Sequence, residues 1–175
     1  MAVIGNDAGT DTGGVAAAIP VWKTITIGTH HTVEELRDAL LRKRMWIGDL
    51  ARAALDLPAL TLAEAETEID LAILSVGDLG LGPGGVTFAD VAERAKRRGL
   101  GLCPAEVALQ LRLQYPRQPV GEFLLIAMEP IALPDGQRIL FMVGNGGAGL
   151  AIVGRQVGSD DLIEPSTPLV FVVPR

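Results

Sequence analysis

Hydrophobic and polar positions along the chain form two kinds of pattern, one typical of strands and the other of helices. Residues 21–27 alternate and are rich in β-branched side chains, which predicts a strand with one buried face. Apolar residues spaced three and four apart predict three helices, which begin near Val33, Asp49 and Phe88. A fourth helix is predicted from Pro104, since proline suits the first helical position, and its evenly spread apolar residues predict that it is buried on most sides. Shorter apolar runs predict five further strands, at 68–76, 123–128, 139–143, 150–153 and 169–173.

Capping signals mark the ends of several helices. A threonine followed three residues later by an acid predicts an N-terminal cap at Thr32, Thr61 and Thr87, although the segment after Thr61 predicts at most one turn of helix. The basic runs 42–44 and 96–98 fall at helix ends, where positive charge complements the helix dipole. That placement explains both runs without a nucleic-acid surface.

These elements predict an α+β fold. We expect about six mostly antiparallel strands, in a sheet or small barrel, with about four helices in the N-terminal half. Residues 1–20 are rich in Gly, Ala, Asp and Thr and show neither periodicity, so they predict a flexible arm or an expression remnant. Residues 21–175 then form a single domain, a size that one hydrophobic core can support.

Composition narrows the classes of function. Lys and Arg number 15 against 21 Asp and Glu, and the net charge of −6 argues against binding to nucleic acid or to an anionic membrane. No apolar run is long enough to span a membrane and no secretory signal begins the chain, so we expect a cytoplasmic protein. Hydrophobic residues make up 49% of the chain, which predicts a well-filled core or a surface covered by a second subunit.

Residues 144–149 match the G-x-G-x-x-G spacing of a dinucleotide-binding loop. Such a loop requires a helix directly after it, whose first amides bind the pyrophosphate. Here the apolar run 150–153 and Gly154 follow instead, which predicts a strand. We therefore interpret the glycines as a hairpin loop, and we predict no cofactor.

The segment between the first strand and the first helix is a candidate anion site. Thr29, His30, His31 and Thr32 lie where hydroxyls, imidazoles and the free amides of a helix start converge. The alternative is that they are ordinary loop residues beside a helix cap. Adjacent residues in an extended segment point apart, so the two histidines are poorly placed as metal ligands, and no metal site is predicted.

Cys103 is the single cysteine, which excludes an internal disulfide. At a helix start its thiol is a candidate nucleophile, with His30 or His31 as its base. The alternative is an inert thiol in the core, since free cysteine is among the most buried residue types.

A second polar set comprises Glu106, Arg112, Gln114 and Tyr115. It predicts a pocket rim in which Arg112 and Tyr115 bind a carboxylate or phosphate, with Glu106 as a further catalytic candidate. Glu106 and Arg112 are six residues apart and so do not pair directly on a helix. The alternative is a helix end at which Arg112 caps the last carbonyl groups.

Several stretches together resemble a family of small uncharacterised bacterial proteins. They are TITIGTH with the following Thr32, LGLCPAEV at 100–107, LRLQY at 111–115, EFLLIAMEPI at 122–131 and VFVVPR at 170–175. The chain departs from that family at 107–109, where a Gly-Pro step is expected, and in its glycine-rich segment 135–165. The resemblance implies a compact α+β domain and implies no activity.

Three functions remain open. The first is a non-catalytic binding or assembly module that forms a homo-oligomer. The second is a regulatory domain that binds a small anion or nucleotide at 29–32. The third is a small enzyme that uses Cys103 with a histidine, or a pocket formed by Glu106 and Arg112.

Overall fold

The computed structural model describes residues 18–175. The predicted N-terminal arm therefore lies outside the described residues, apart from its last three. Four helices are α1 Val33–Arg42, α2 Asp49–Leu55, α3 Phe88–Arg97 and α4 Glu106–Gln114. Eight strands are β1 Lys23–Ile27, β2 Trp46–Ile47, β3 Thr67–Ser75, β4 Phe123–Ile126, β5 Ile131–Ala132, β6 Arg138–Gly146, β7 Gly149–Gln156 and β8 Pro168–Val173.

The strands form one curled sheet that resembles half of a barrel. Its order is β1-β3-β8-β4-β6-β7-β2, and β5 pairs with β6 beside this path. Two pairs are parallel, β4 with β8 and β2 with β7, and the other pairs are antiparallel. The sheet is therefore mixed, with the first strand of the chain at one edge and β2 at the other.

The predicted fold class is wrong in three details, although the fold is broadly α+β. Residues 18–175 contain eight strands instead of six, because β2 and β5 have two residues each and are too short to show any periodicity. The sheet is mixed, since the strands that become neighbours are far apart in the chain. Two helices, α3 and α4, lie in the second half of the chain, so the helices are not confined to its N-terminal half.

Predictions of helix caps and turns were more accurate than the prediction of the strand arrangement. Thr32 and Thr87 each cap their helix in a complete capping box, as predicted. Thr61 starts no helix. The hairpin interpretation of the glycine motif is confirmed, since Gly146 pairs with Gly149 across a two-residue turn between β6 and β7. Gly149 has a φ of +93°, a conformation that glycine adopts without strain.

Helix α4 is the centre of the molecule. It lies against β1, β6, β7 and α1, and eight of its nine residues are buried. The sequence prediction that it is buried on most sides is therefore confirmed. Three of the buried side chains are polar, namely Glu106, Gln110 and Arg112. Each must find its partners inside the protein, because an unpaired buried polar group is costly.

Candidate ligand-binding site

Three polar side chains line one face of α4. Glu106, Gln110 and Gln114 follow one another at intervals of four residues, which places them along a single stripe. Gln110 Nε2 donates a hydrogen bond to Glu106 Oε1 at 3.0 Å, and Gln114 Nε2 donates to Gln110 Oε1 at 3.2 Å. The stripe is thus a connected chain of hydrogen bonds that runs the length of the helix.

Glu106 fastens two loops to the start of α4. Its Oε1 accepts the amide of Gly28 at 2.7 Å, and its Oε2 accepts the amide of Ala63 at 2.7 Å. The side chain is 0% exposed. Since both oxygens are engaged and no solvent reaches them, the carboxylate has a structural role here and is not available as a general acid or base.

Gln114 forms hydrogen bonds with the backbone of β1, the strand at one edge of the sheet. Its Oε1 accepts the amide of Thr26 at 3.0 Å, and its Nε2 donates to the Thr26 carbonyl at 2.7 Å. The carboxamide thus pairs with the outer edge of β1 as another strand would, at a position where backbone groups would otherwise lack partners. Gln110 Nε2 also donates to the hydroxyl of Thr29 at 2.8 Å, which draws that loop residue onto the helix.

A cavity of about 460 Å³ opens beside this stripe, between α1, α4 and the end of β1. Its lining includes one cation, Lys43, which follows the last turn of α1. An acid, Glu66, lies on the same lining. The residues around the cavity are Thr26, Thr29, His30, Ala39, Lys43, Glu66, Gln110, Leu113 and Gln114.

Only two of the four residues in the predicted anion site at 29–32 line the cavity. Thr29 and His30 line the cavity, and the Thr29 hydroxyl lies 2.8 Å from His30 Nδ1. Thr32 and His31 do not line it. Their amides donate to Glu35 Oε2, at 3.3 and 2.8 Å respectively.

Glu35 therefore already occupies the helix start. The backbone hydrogen bonds from His31 and Thr32 hold the pKa of the Glu35 carboxyl below its ordinary value. A negative charge at this end of α1 disfavours a second anion there.

Cys103 lies in the core and lines neither the α1–α4 cavity nor the cavity beside α3. It is buried, and burial raises the pKa of its thiol well above the ordinary value. The thiol donates to the Val170 carbonyl at 3.4 Å, and within residues 18–175 no hydrogen bond joins it to His30 or His31. The geometry therefore favours the inert alternative over the nucleophile.

Arg112 points away from the stripe and lines neither of the two cavities described here. Its Nη1 donates to Gln118 Oε1 and to the Gly144 carbonyl, and its Nη2 donates to the Tyr115 carbonyl. Burial lowers the pKa of Arg112 to about 10. The contact with Tyr115, the residue that ends α4, agrees with the helix-capping alternative.

Tyr115 packs into a small aromatic cluster. Its ring meets Trp22 edge to face, with centroids 5.2 Å apart, and the Lys23 ammonium lies 5.0 Å from its centre. Burial raises the pKa of Tyr115, and the nearby Glu122 carboxylate adds to this. Tyr115 does not line the α1–α4 cavity, so the structure separates it from Thr29 and His30.

The sequence reasoning missed Lys43, Glu66 and Gln110, and it placed Gln114 in a pocket rim with Arg112 and Tyr115. One signal could have found Gln110, because polar residues at 106, 110 and 114 interrupt an otherwise apolar helix every four positions. Lys43 carried no such signal, since its basic run is explained by the helix end.

Comparisons with protein families, with curated proteins and with solved structures give no match for this chain. The resemblance to small bacterial proteins thus stays a prediction. In the part of the chain that the structure describes, no helix has the length and apolar character needed to cross a membrane. Within the same residues, no group of three His, Cys, Asp or Glu side chains is arranged to hold a metal ion.

Proposed function

We propose that this protein is a non-catalytic binding module that takes a small organic anion in the α1–α4 cavity. One observation carries the proposal: the Lys43 cation lies on the cavity lining together with Thr29 and His30. The N–H donors of Gln110 and Gln114 are already engaged within the protein, so these two side chains form a fixed wall of the cavity. A volume of about 460 Å³ falls within the range of ligand pockets.

The lining also suggests how such a ligand would be oriented. The Lys43 ammonium supplies a counter-charge for its anionic group, while Glu66 suits a hydrogen-bond donor on the same molecule. Gln110 and Gln114 are held by their contacts with Thr29 and Thr26, so little side-chain entropy is lost when a ligand binds beside them.

Binding is favoured over catalysis by the state of the reactive groups. His30 lies beside the Thr29 hydroxyl, but within residues 18–175 no carboxylate forms a hydrogen bond with its ring to orient it as a base. Cys103 is buried with a raised pKa. An alkylating reagent should therefore modify Cys103 only when the protein unfolds, and rapid labelling of the native protein would revive the enzyme alternative.

Thermal unfolding with added anions tests the proposal. We expect inorganic phosphate, acetate or adenosine monophosphate, at millimolar concentration, to raise the melting temperature of the full chain. Lys43→Gln should abolish the rise. Lys96→Gln, which removes the same charge from an exposed position in α3 outside the cavity, should preserve it. Equal rises in both variants, or no rise with any of the three anions, would contradict the proposal.

A second candidate function is self-assembly, and it rests on one face of the sheet. Trp46, Ala151, Gly144 and Phe123 are in register across β2, β7, β6 and β4, so that they share a face. Trp46 is 51% exposed and Phe123 is 41% exposed. Exposed aromatic side chains on one sheet face are typical of a surface that another subunit covers.

Light scattering coupled to size exclusion tests self-assembly independently of anion binding. The full chain should be an oligomer, and Trp46→Lys with Phe123→Lys should make it monomeric. Leu162→Lys, another exposed apolar residue outside that row, should leave the oligomer intact. A wild-type protein that is monomeric at high concentration would exclude this second function and leave anion binding unaffected.

A further inference from the structure

A second cavity lies apart from the α1–α4 cavity. It has a volume of about 650 Å³ and lies between the first turns of α3, the segment before β5, the start of β6 and the end of β7. We propose that it binds a free α-amino acid with a large apolar side chain, in its zwitterionic form. The two cavities share no lining residue, so this inference does not depend on the anion proposal.

The floor of this cavity is apolar. Phe88 and Val157 are 6% and 4% exposed, and they face the cavity from α3 and from the residue after β7. Leu102, Ala92 and Pro130 are half-buried and complete the floor. An apolar side chain that packs against such a surface lowers the free energy, because apolar area is removed from water on both partners.

Two opposite charges stand on the lining of the same cavity. Glu129 lies between β4 and β5, and Arg138 is the first residue of β6. Within residues 18–175 neither side chain takes part in an ion pair. Four other arginines, at 37, 52, 97 and 175, do form one. Both charges are thus available to a ligand.

A zwitterion fits this pair of charges better than an ion of either sign. A simple carboxylate would pair with Arg138 but would be repelled by Glu129, and a simple amine would meet the reverse arrangement. An α-amino acid presents a carboxylate and an ammonium on one carbon, so both can be matched while its side chain lies on the apolar floor. The remaining polar lining is Thr87 and Ser159, and the Thr87 hydroxyl is engaged by Asp90 in the cap of α3.

Isothermal titration calorimetry tests the inference with three probes that share a phenyl ring and differ in their charged groups. L-phenylalanine carries both charges, 3-phenylpropionate lacks the ammonium, and phenethylamine lacks the carboxylate. We expect L-phenylalanine to bind the full chain at least about tenfold more tightly than the other two, since each lost probe charge removes a charge-assisted hydrogen bond. No saturable binding of L-phenylalanine or L-leucine at millimolar concentration would overturn the inference.

Two variants make the result specific to the cavity. Arg138→Gln should weaken the binding of L-phenylalanine, and Glu129→Gln should remove the preference for L-phenylalanine over 3-phenylpropionate. Lys96→Gln, which removes a charge outside both cavities, should change neither the affinity for L-phenylalanine nor that for 3-phenylpropionate. Both charged positions are exposed, so the variants are expected to fold, which an unchanged melting temperature would verify. An affinity for L-phenylalanine that is unaffected by both substitutions would overturn the proposed site.

Discussion

Helix α4 buries a carboxylate and a guanidinium, and the two are accommodated differently. Both Glu106 oxygens accept hydrogen bonds from backbone amides, one from Gly28 and one from Ala63. Arg112 donates from Nη1 and Nη2, mainly to backbone carbonyl groups, but its Nε has no partner among the described residues. Both side chains are 0% exposed, so that burial alone does not distinguish them.

The difference lies in which backbone groups each side chain pairs with: Glu106 pairs with N–H groups and Arg112 pairs with C=O groups. An amide N–H has one hydrogen to donate and is rarely left unpaired in the interior, whereas a carbonyl oxygen is more often under-satisfied. Glu106 accepts hydrogen bonds from two amides, and Arg112 donates hydrogen bonds to the carbonyls of Gly144 and Tyr115. The Glu106 end of α4 should therefore be the more sensitive to substitution, although Arg112 is the larger side chain.

The largest effect is expected for Glu106→Ala. It leaves the amides of Gly28 and Ala63 without acceptors in the interior, and we expect a loss of about 4 kcal/mol in the free energy of unfolding. Urea denaturation of the full chain measures it. Glu106→Gln keeps one good acceptor and should lose about half as much. If Glu106→Ala lost less stability than Arg112→Met, the comparison would be reversed.

The next effect concerns the loop that Glu106 holds. Gly28 has a φ of +74°, and an added Cβ would lie 2.2 Å from the Ala65 carbonyl oxygen, a backbone atom that cannot rotate away. Gly28→Ala should cost about 3 kcal/mol, from left-handed strain together with this clash. Gly136 has a φ of +88° and nothing within 4 Å, so Gly136→Ala should show the strain alone, about 1 kcal/mol. Equal losses in the two variants would remove the close approach as a cause.

Arg112→Met should cost less, about 2 kcal/mol, in the same urea experiment. The carbonyls of Gly144 and Tyr115 lose a donor, but the removal of a buried charge returns part of its desolvation penalty. A methionine of similar length refills most of the space. If Arg112→Met destabilised the protein more than Glu106→Ala, the carbonyl contacts would be the stronger of the two sets.

The smallest effect is expected at Asp70, a carboxylate near the surface, and it should depend on pH. The hydrogen bonds from Arg175 and Thr24 lower the pKa of Asp70 from 3.8 to about 2. Because the folded value lies below the unfolded one, its contribution is complete above pH 3.8 and is lost as the pH falls towards about 2. Asp70→Asn should lower stability slightly at neutral pH and flatten the decline in that acid range. A parallel decline in both proteins would show that Asp70 does not contribute.

Much of the local structure could be predicted from the sequence, for reasons that are themselves local. The caps at Thr32 and Thr87 depend on residues three positions apart, and the β6–β7 hairpin depends on glycines at its turn. The strands β2 and β5 could not be predicted, since two residues carry no periodicity. The parallel pairing of β4 with β8 joins residues more than forty positions apart, and no local pattern encodes it.

The candidate site was half predictable. Thr29 and His30 stood out because hydroxyl and imidazole groups cluster before a helix. The predicted capping box already placed Glu35 at this helix start, and its carboxylate accepts the amides of His31 and Thr32 that the predicted anion site needed. Lys43 joins the site only because α1 packs beside α4 in the folded chain.

The sequence by itself determined where most helices and strands begin, which helix is buried on most sides and where one tight turn falls. These features follow from side-chain periodicity and from hydrogen bonds between near neighbours. Only the tertiary structure decided which strands are neighbours, that Glu106 binds the amides of Gly28 and Ala63, and which residues share a cavity. Those contacts join segments far apart in the chain, and they form because buried polar groups must find partners once the core has closed around them.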